Sequence, residues 1–450
     1  MQLDDRSVAA RFPAGAILPS NPAYDDHRIS FNGLIDRRPA AIVPCGTTED
    51  VVTAVHAARA AGLPIAVRGG GHSVAGHSLA DDALVVSLAP MRTVEVETDR
   101  RLAHAGGGAL WEDVDAACFR HGLAVVGGTF GDTGIGGLTL GGGIGWLMPM
   151  AGLTCDNLME AEVVTADGSV VVANAEQNAD LLWALRGGGG NFGVVTRFTY
   201  RAVSIGQMFG GRITYPASAA GAFFDRLERL VAGFPTMGLP TVGLHRASDS
   251  GDPTITMLLG VVDGSDPAPI LDLLRRDLQV LTDDVGPMTY LDLQGLAGIL
   301  PFGLRHYWKG HFLRELDRDL FLRLVTAMGD EDSVGEPLIL LERLVGAGRS
   351  EPSDVGAAFA QRAATWNASA LAIWEDPALD ATATSWARRV ADLLEPSSLM
   401  GGGYVNYSTD EPIERVRAAY GPERWERLVS VKRRYDPENV FRFNHNLPPA

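Results

Sequence analysis

Ten of the twenty residues from Gly127 to Trp146 are glycine, and that density limits what the chain can build there. In a regular helix each glycine costs roughly 1 kcal/mol relative to alanine, so such a run belongs where backbone must approach something closely with no Cβ in the way. A flexible linker would favour glycine and serine alone, whereas here Ile135, Leu138, Leu140, Ile144 and Trp146 are interleaved. The segment therefore reads as a loop held against the phosphates and rings of a large ligand. A second cluster, Arg68-Gly69-Gly70-Gly71-His72-Ser73, places a histidine directly after three glycines at the end of the apolar stretch Leu63–Val67. Strand ends are where chemistry tends to lie in mixed α/β proteins, so His72 is a candidate attachment point.

A third run, Arg186-Gly187-Gly188-Gly189-Gly190-Asn191-Phe192-Gly193, satisfies the spacing GxGxxG through Gly188, Gly190 and Gly193. A dinucleotide fingerprint must follow a strand and open a helix. Here the run follows the helical text Leu181–Leu185 and leads into the strand-like Val194–Tyr200, so a nicotinamide site of that kind is rejected.

At 450 residues the chain exceeds what one hydrophobic core usually serves. A formal net charge of −17 repels nucleic acid and anionic membrane surfaces, and neither is expected as a partner. No apolar run is long enough to span a bilayer and the first residues lack a leader pattern, so a cytoplasmic location is expected. The three cysteines, Cys45, Cys118 and Cys155, form no CxxC pair, which leaves no disulfide framework and no cysteine-rich zinc site; no metal is expected.

Periodicity and turn chemistry predict a helix from Thr47 to about Ala61 that stops at Gly62, and a hairpin of 160–166 with 169–173 about Asp167-Gly168. Beyond residue 203 the glycine clusters end. Helices are expected near 220–233, 267–280 and 354–364, with apolar strands at Thr254–Val262, Leu338–Leu341 and Ser369–Trp374 and a helix near 423–434.

Read together, Arg68–Ser73, the Gly134–Gly145 loop, Gly152-Leu153-Thr154-Cys155-Asp156-Asn157, Asp180–Gly193, Tyr404-Val405-Asn406-Tyr407 and Tyr435–Arg442 stand in family order. With these six motifs the chain resembles the berberine bridge enzyme-like branch of the FAD-linked oxidases. The resemblance implies an α+β chain with a two-domain PCMH-type FAD-binding fold and an inserted α/β substrate domain, a mainly antiparallel sheet covered by helices. The implied division is an FAD-binding domain at 1–203, a substrate domain at 204–400, and a segment at 401–450 returning to the first.

The resemblance further implies a doubly attached FAD, from His72 to the 8α-methyl and from Cys155 to C6. Backbone amides of Arg68, Gly69, Gly70, Gly71 and Ser73, with Gly134, Gly137, Thr139, Gly142 and Gly143, are expected around the pyrophosphate, and Gly193 and Val195 near the adenine. Tyr404 is the expected base and Tyr407 a second pocket residue, with Tyr307-Trp308-Lys309 as further candidates and Lys309 lowering the tyrosine pKa. The expected activity is oxidation of an alcohol on a sugar, glycoside or polyketide-type natural product by hydride transfer to flavin N5. The small-molecule substrate is joined by dioxygen or another acceptor. Two departures from the family pattern are Met148-Pro149-Met150-Ala151 on the substrate side and Leu158, which in the plant branch accompanies poor reaction with oxygen. Oxidative cyclisation, a dehydrogenase with another acceptor, and a flavin-carrying binding protein are the alternatives.

Overall fold

The computed structural model describes residues 12–234, 238–248, 250–399 and 402–449. Near the N-terminus, three parallel strands lie in the order Ala41–Pro44, Leu84–Ser87, Ile65–Arg68. Helix Thr48–Ala61 covers them through Val51, Ala54, Val55 and Ala58. Its predicted start is held by a reciprocal cap between Thr47 and Asp50, and it ends at Gly62, whose φ of 68° closes the last turn.

Five antiparallel strands follow in the order Val94–Glu97, Leu102–Gly106, Val194–Arg201, Leu158–Val164, Val170–Ala173. The predicted hairpin is the last pair. Helix Trp111–Phe119 and helix Ala179–Leu185 pack on this sheet, joined by Val416, Tyr420, Trp425, Leu428 and Val431 from the kinked helix Ile413–Tyr435. The C-terminal stretch is tied to the glycine run through Lys432. This buried ammonium donates to the carbonyls of Asn191 (2.8 Å) and Phe441 (2.9 Å) and pairs with the equally buried Asp436. Asp436 in turn accepts from the backbone of Val440 and Phe441, which explains the motif text Asp436–Phe441.

The largest sheet is antiparallel. Its strands run Thr282–Asp283, Met208–Pro216, Pro253–Val261, Thr241–Arg246, Leu338–Arg343, Trp366–Trp374, Arg305–Leu313. Helices Ala220–Gly233, Arg318–Ala327 and Asp380–Leu394 cover one face, burying Phe223, Leu227, Phe321, Leu324, Trp386 and Val390. Strand alternation decides what the other face offers. On Arg305–Leu313, Tyr307 and Leu313 join the helix-side core, while Trp308 and Phe312 pack on the opposite face.

Two expectations are corrected. No helix occupies 354–364; apart from one 3-10 turn, Gln361–Ala363, the stretch is an irregular strap. Arg186, fully buried, grips it at the Asp354 carboxylate and the Gly356 carbonyl, and Gly356 at φ 75° breaks any helical path. The glycine-dense segment is also not all loop, because Ile135–Leu140 forms a short helix.

Candidate functional site

Strand Ile65–Arg68 delivers the Gly69–Ser73 loop to the edge of a cleft, and helix Ile135–Leu140 begins directly opposite. The two meet backbone to backbone. A Cβ placed on Gly70 would lie 2.6 Å from Cα and N of Gly134, and one on Gly134 would lie 2.5 Å from N of Gly70. That mutual approach requires glycine on both sides. The space between the cleft's walls, open mouth included, is about 1700 Å³. Gly69, Gly70, Gly71, His72, Ser73, Gly134, Gly137, Gly193, Val195, Tyr404 and Tyr407 all line it.

Four expected cofactor residues stand behind the wall. Arg68 folds back beneath Gly71 and donates to the carbonyl of His27 at 2.7 Å. Thr139 turns inward, its hydroxyl bonded to the Ile135 carbonyl and the Tyr200 hydroxyl, both at 2.7 Å. Gly142 and Gly143 take φ of 125° and 87°, and their carbonyls accept from Cys155 and Thr154. These residues shape the cleft without lining it.

His72 stacks on Phe31, ring centroids 3.8 Å apart. Phe31 in turn stacks on His306 at 4.4 Å. The next residue, Asn32, fixes this sandwich: its amide donates to the carbonyls of Val74 (2.7 Å) and His306 (2.8 Å) and accepts from the His306 N–H. Burial pushes the His72 imidazole below its ordinary value, keeping it neutral, which is the form able to act as a nucleophile.

Cys155 is not at the cleft. It sits fully buried in the 3-10 turn Thr154–Asn157, packed among Ile144, Leu147, Met148, Phe359 and Tyr404. Its thiol leans on the Asp156 carboxylate at 3.6 Å, and Asp156 is engaged by Arg362. Burial drives the thiol well above its usual pKa, and the neighbouring Asp156 charge adds to this. A protonated, enclosed sulfur is a poor nucleophile, and Cys155 is not among the residues that line the cleft, whereas the expected second flavin bond needs its sulfur there. Beside Phe31, the ring of Phe130 also lies near His72, with centroids 6.4 Å apart.

At the opposite wall stand Trp308, Tyr404, Asn406, Tyr407 and Ser408. The Tyr404 oxygen accepts from the Gly143 N–H (2.8 Å) and the Asn406 amide (2.9 Å), and burial raises its pKa above the usual phenol value. The expected cation beside it is missing. Lys309 projects to the other side of its strand and pairs with Asp410 and Glu411, and Tyr307 bonds to Asp410 and Arg388 on that same side. Of the three expected neighbours, only Trp308 reaches the cleft.

Glu342, on strand Leu338–Arg343, was missed from sequence. It is fully buried, accepts from the Asn367 amide at 2.7 Å, and receives the Tyr407 hydroxyl at 3.4 Å. Burial raises its carboxyl to about 7, with both hydrogen bonds opposing the rise. The Tyr407 phenol is pushed well above its ordinary value, by burial first and then by the Glu342 charge. Asn444 and His445 of the C-terminal tail, also unforeseen, line the cleft, and His445 meets His77 edge to face at 4.9 Å. Neither family departure touches it: Leu158 is buried in the five-stranded sheet's core, and Met148–Ala151 packs as a short helix outside the lining.

An FAD fits these residues on two structural grounds. The walls are glycine where a Cβ would block approach, and a buried ring nitrogen of His77, itself part of the lining, has no hydrogen-bond partner inside the protein. Comparisons with known proteins agree. Residues 39–174 match the family described as FAD binding domain, and residues 403–448 the one described as berberine and berberine like. An (R)-6-hydroxynicotine oxidase of Paenarthrobacter nicotinovorans is 30% identical over 462 residues, covering 96% of both chains. An uncharacterized FAD-linked oxidoreductase of Bacillus subtilis is 30% identical over 449 residues, covering 95% of both. The solved 6-hydroxy-D-nicotine oxidase of Arthrobacter nicotinovorans superposes with a TM-score of 0.87 at 28% identity, over 98% of both chains. Among the described residues, no helix is long and apolar enough to cross a membrane.

Proposed function

The chain belongs to the berberine bridge enzyme-like family of FAD-linked oxidoreductases, and from that premise we propose that it attaches FAD through His72 alone and oxidises a flat, hydroxyl- or amine-bearing aromatic molecule. In this reading 1–203 and 401–450 carry the cofactor site, and 204–400 supplies the substrate wall. Backbone of Gly69–Ser73 and Gly134–Gly137 holds the cofactor, with Gly193 and Val195 at its far end; backbone donors suit phosphate without a lysine. Bound FAD supplies the acceptor for the hydride that leaves the substrate carbon.

The remaining work falls to side chains. Tyr404 receives two N–H donors on its oxygen, so its own O–H is free to donate to the substrate heteroatom and orient it. Tyr407 takes the substrate proton as it passes its own to Glu342, whose value of about 7 suits a base near neutral pH. Asn367 holds that carboxylate in place. Trp308 and Tyr407, edge to face at 5.7 Å, offer an aromatic wall that accepts a flat ring more readily than a sugar, which would need several polar partners.

The observation that carries this reading is the Tyr407–Glu342 contact at one end of a glycine-walled cleft that has His72 on its flank. Anaerobic mixing of the holoprotein with a substrate panel tests it. Hydroxylated or amine-bearing aromatics should bleach the flavin absorbance within seconds, and oligosaccharides should not. Bleaching by sugars alone, or by nothing, contradicts the reading.

A further inference from the structure

Asp132 lies in the loop between Phe130 and Gly134, and its carboxylate Oδ1 sits 3.6 Å from Nε2 of His72. Both atoms are enclosed, and neither has a hydrogen-bond partner elsewhere. A buried carboxylate oxygen and a buried ring nitrogen left facing each other are unusual, because enclosed polar atoms are nearly always bonded. At 3.6 Å the two stand just outside hydrogen-bond range, one small side-chain adjustment from contact. Of the two imidazole nitrogens, Nε2 is the one that faces Asp132 and is left without a hydrogen-bond partner. The carboxylate, an acceptor only, therefore favours the tautomer with the proton on Nε2 and the lone pair on Nδ1.

We propose that Asp132 is a positioning residue for covalent flavin attachment: it orients His72 with Nδ1 as the nucleophile and receives the Nε2 proton as the carbon–nitrogen bond forms. The inference rests on His72 being the anchor. In the net reaction one C–H bond of the flavin ring methyl and the Nε2–H bond break, and one C–N bond forms. Two protons and two electrons are released. One proton leaves the methyl group, the other passes from Nε2 to Asp132, and the electrons travel through the flavin ring to dioxygen, which becomes hydrogen peroxide. With the second proton gone, Nε2 carries a lone pair and the attached imidazole is neutral. The fold supports the assignment. Phe31 fixes the plane of the His72 ring by stacking at 20°, and Asn32 locks Phe31, so the imidazole has little freedom to turn Nε2 away from Asp132.

The test uses apoprotein made under flavin limitation and then supplied with FAD in air. Attachment is followed as flavin that stays with acid-denatured protein, and total binding as flavin that stays through gel filtration. Asp132→Asn should bind FAD yet attach it about 100-fold more slowly, the scale of a lost proton acceptor. Asp132→Glu, which keeps a carboxylate, should recover most of the rate. Attachment by Asp132→Asn at the wild-type rate overturns the proposal. So does an Asp132→Glu variant that binds FAD but is as slow as Asp132→Asn, which would mean loop shape rather than the carboxylate matters. If Asp132→Asn binds no FAD, Asp132→Glu decides alone by the same rate. If the unmodified protein gives up all its flavin to acid, the His72 anchor itself fails and this inference with it.

Discussion

Replacing Glu342 by glutamine is expected to lower turnover by about 10²–10⁴-fold, the usual range for removal of a general base, and to abolish the acidic limb of the pH profile. The carboxyl can accept a proton only when ionised, and burial sets its midpoint at about 7. Wild-type turnover should therefore climb through pH 7 and level off above it, while Glu342→Gln stays low and flat. Tyr407→Phe should lose a similar factor, and the double variant little more than either, because the two act as one relay. Stability should move independently. The carboxyl titrates near 7 when folded against 4.5 ordinarily, so between those values the folded state holds a proton that the unfolded state has lost. Its contribution to stability falls as pH rises through that window, and Glu342→Gln, free of the term, should gain in relative melting temperature up to pH 7 and hold constant above. Wild-type turnover in Glu342→Gln would remove the relay from the mechanism.

Gly70→Val should yield protein without flavin. The clash is at Cβ itself, 2.6 Å from backbone of Gly134 and 2.8 Å from a methyl of Leu110, so no rotamer relieves it. The loops must part, at a cost of about 1–3 kcal/mol for an overpacked contact, and the cleft loses the wall that its backbone forms. Gly206→Ala, exposed and away from the cleft, is the control: a Cβ there meets nothing within 4 Å, so its melting temperature and flavin content should stay near those of the unmodified protein. A yellow Gly70→Val protein that melts like wild type would show that the two loops are not a single unit.

Much of this was legible because backbone demands leave marks in composition. Glycine at 69–71, 134 and 193 records where chain must pass close to chain or ligand, and the rejected fingerprint at Gly188–Gly193 shows why: Gly187 and Gly189 sit at positive φ, turning the run back toward the C-terminal tail. Facing, by contrast, is a tertiary property. Cys155 adjoins a cleft-forming motif in sequence, yet in the 3-10 turn Thr154–Asn157 it is fully buried. Lys309 could have been excluded by alternation alone, since Trp308 and Lys309 on one strand must point to opposite faces. Glu342 also left a signal, a single acid closing the apolar run Leu338-Ile339-Leu340-Leu341, though nothing local says that Tyr407, sixty-five positions on, will meet it. The Phe31-Asn32 clamp left none, because its partners come from residues 72, 74 and 306.

One FAD held by one bond is the expected state of the protein. Intact mass and peptide mapping of the acid-denatured protein test it most directly. A single flavin adduct is expected, confined to the peptide that contains His72, retained in full by Cys155→Ala and absent from His72→Ala. Flavin on the Cys155 peptide, or none on either, would contradict it.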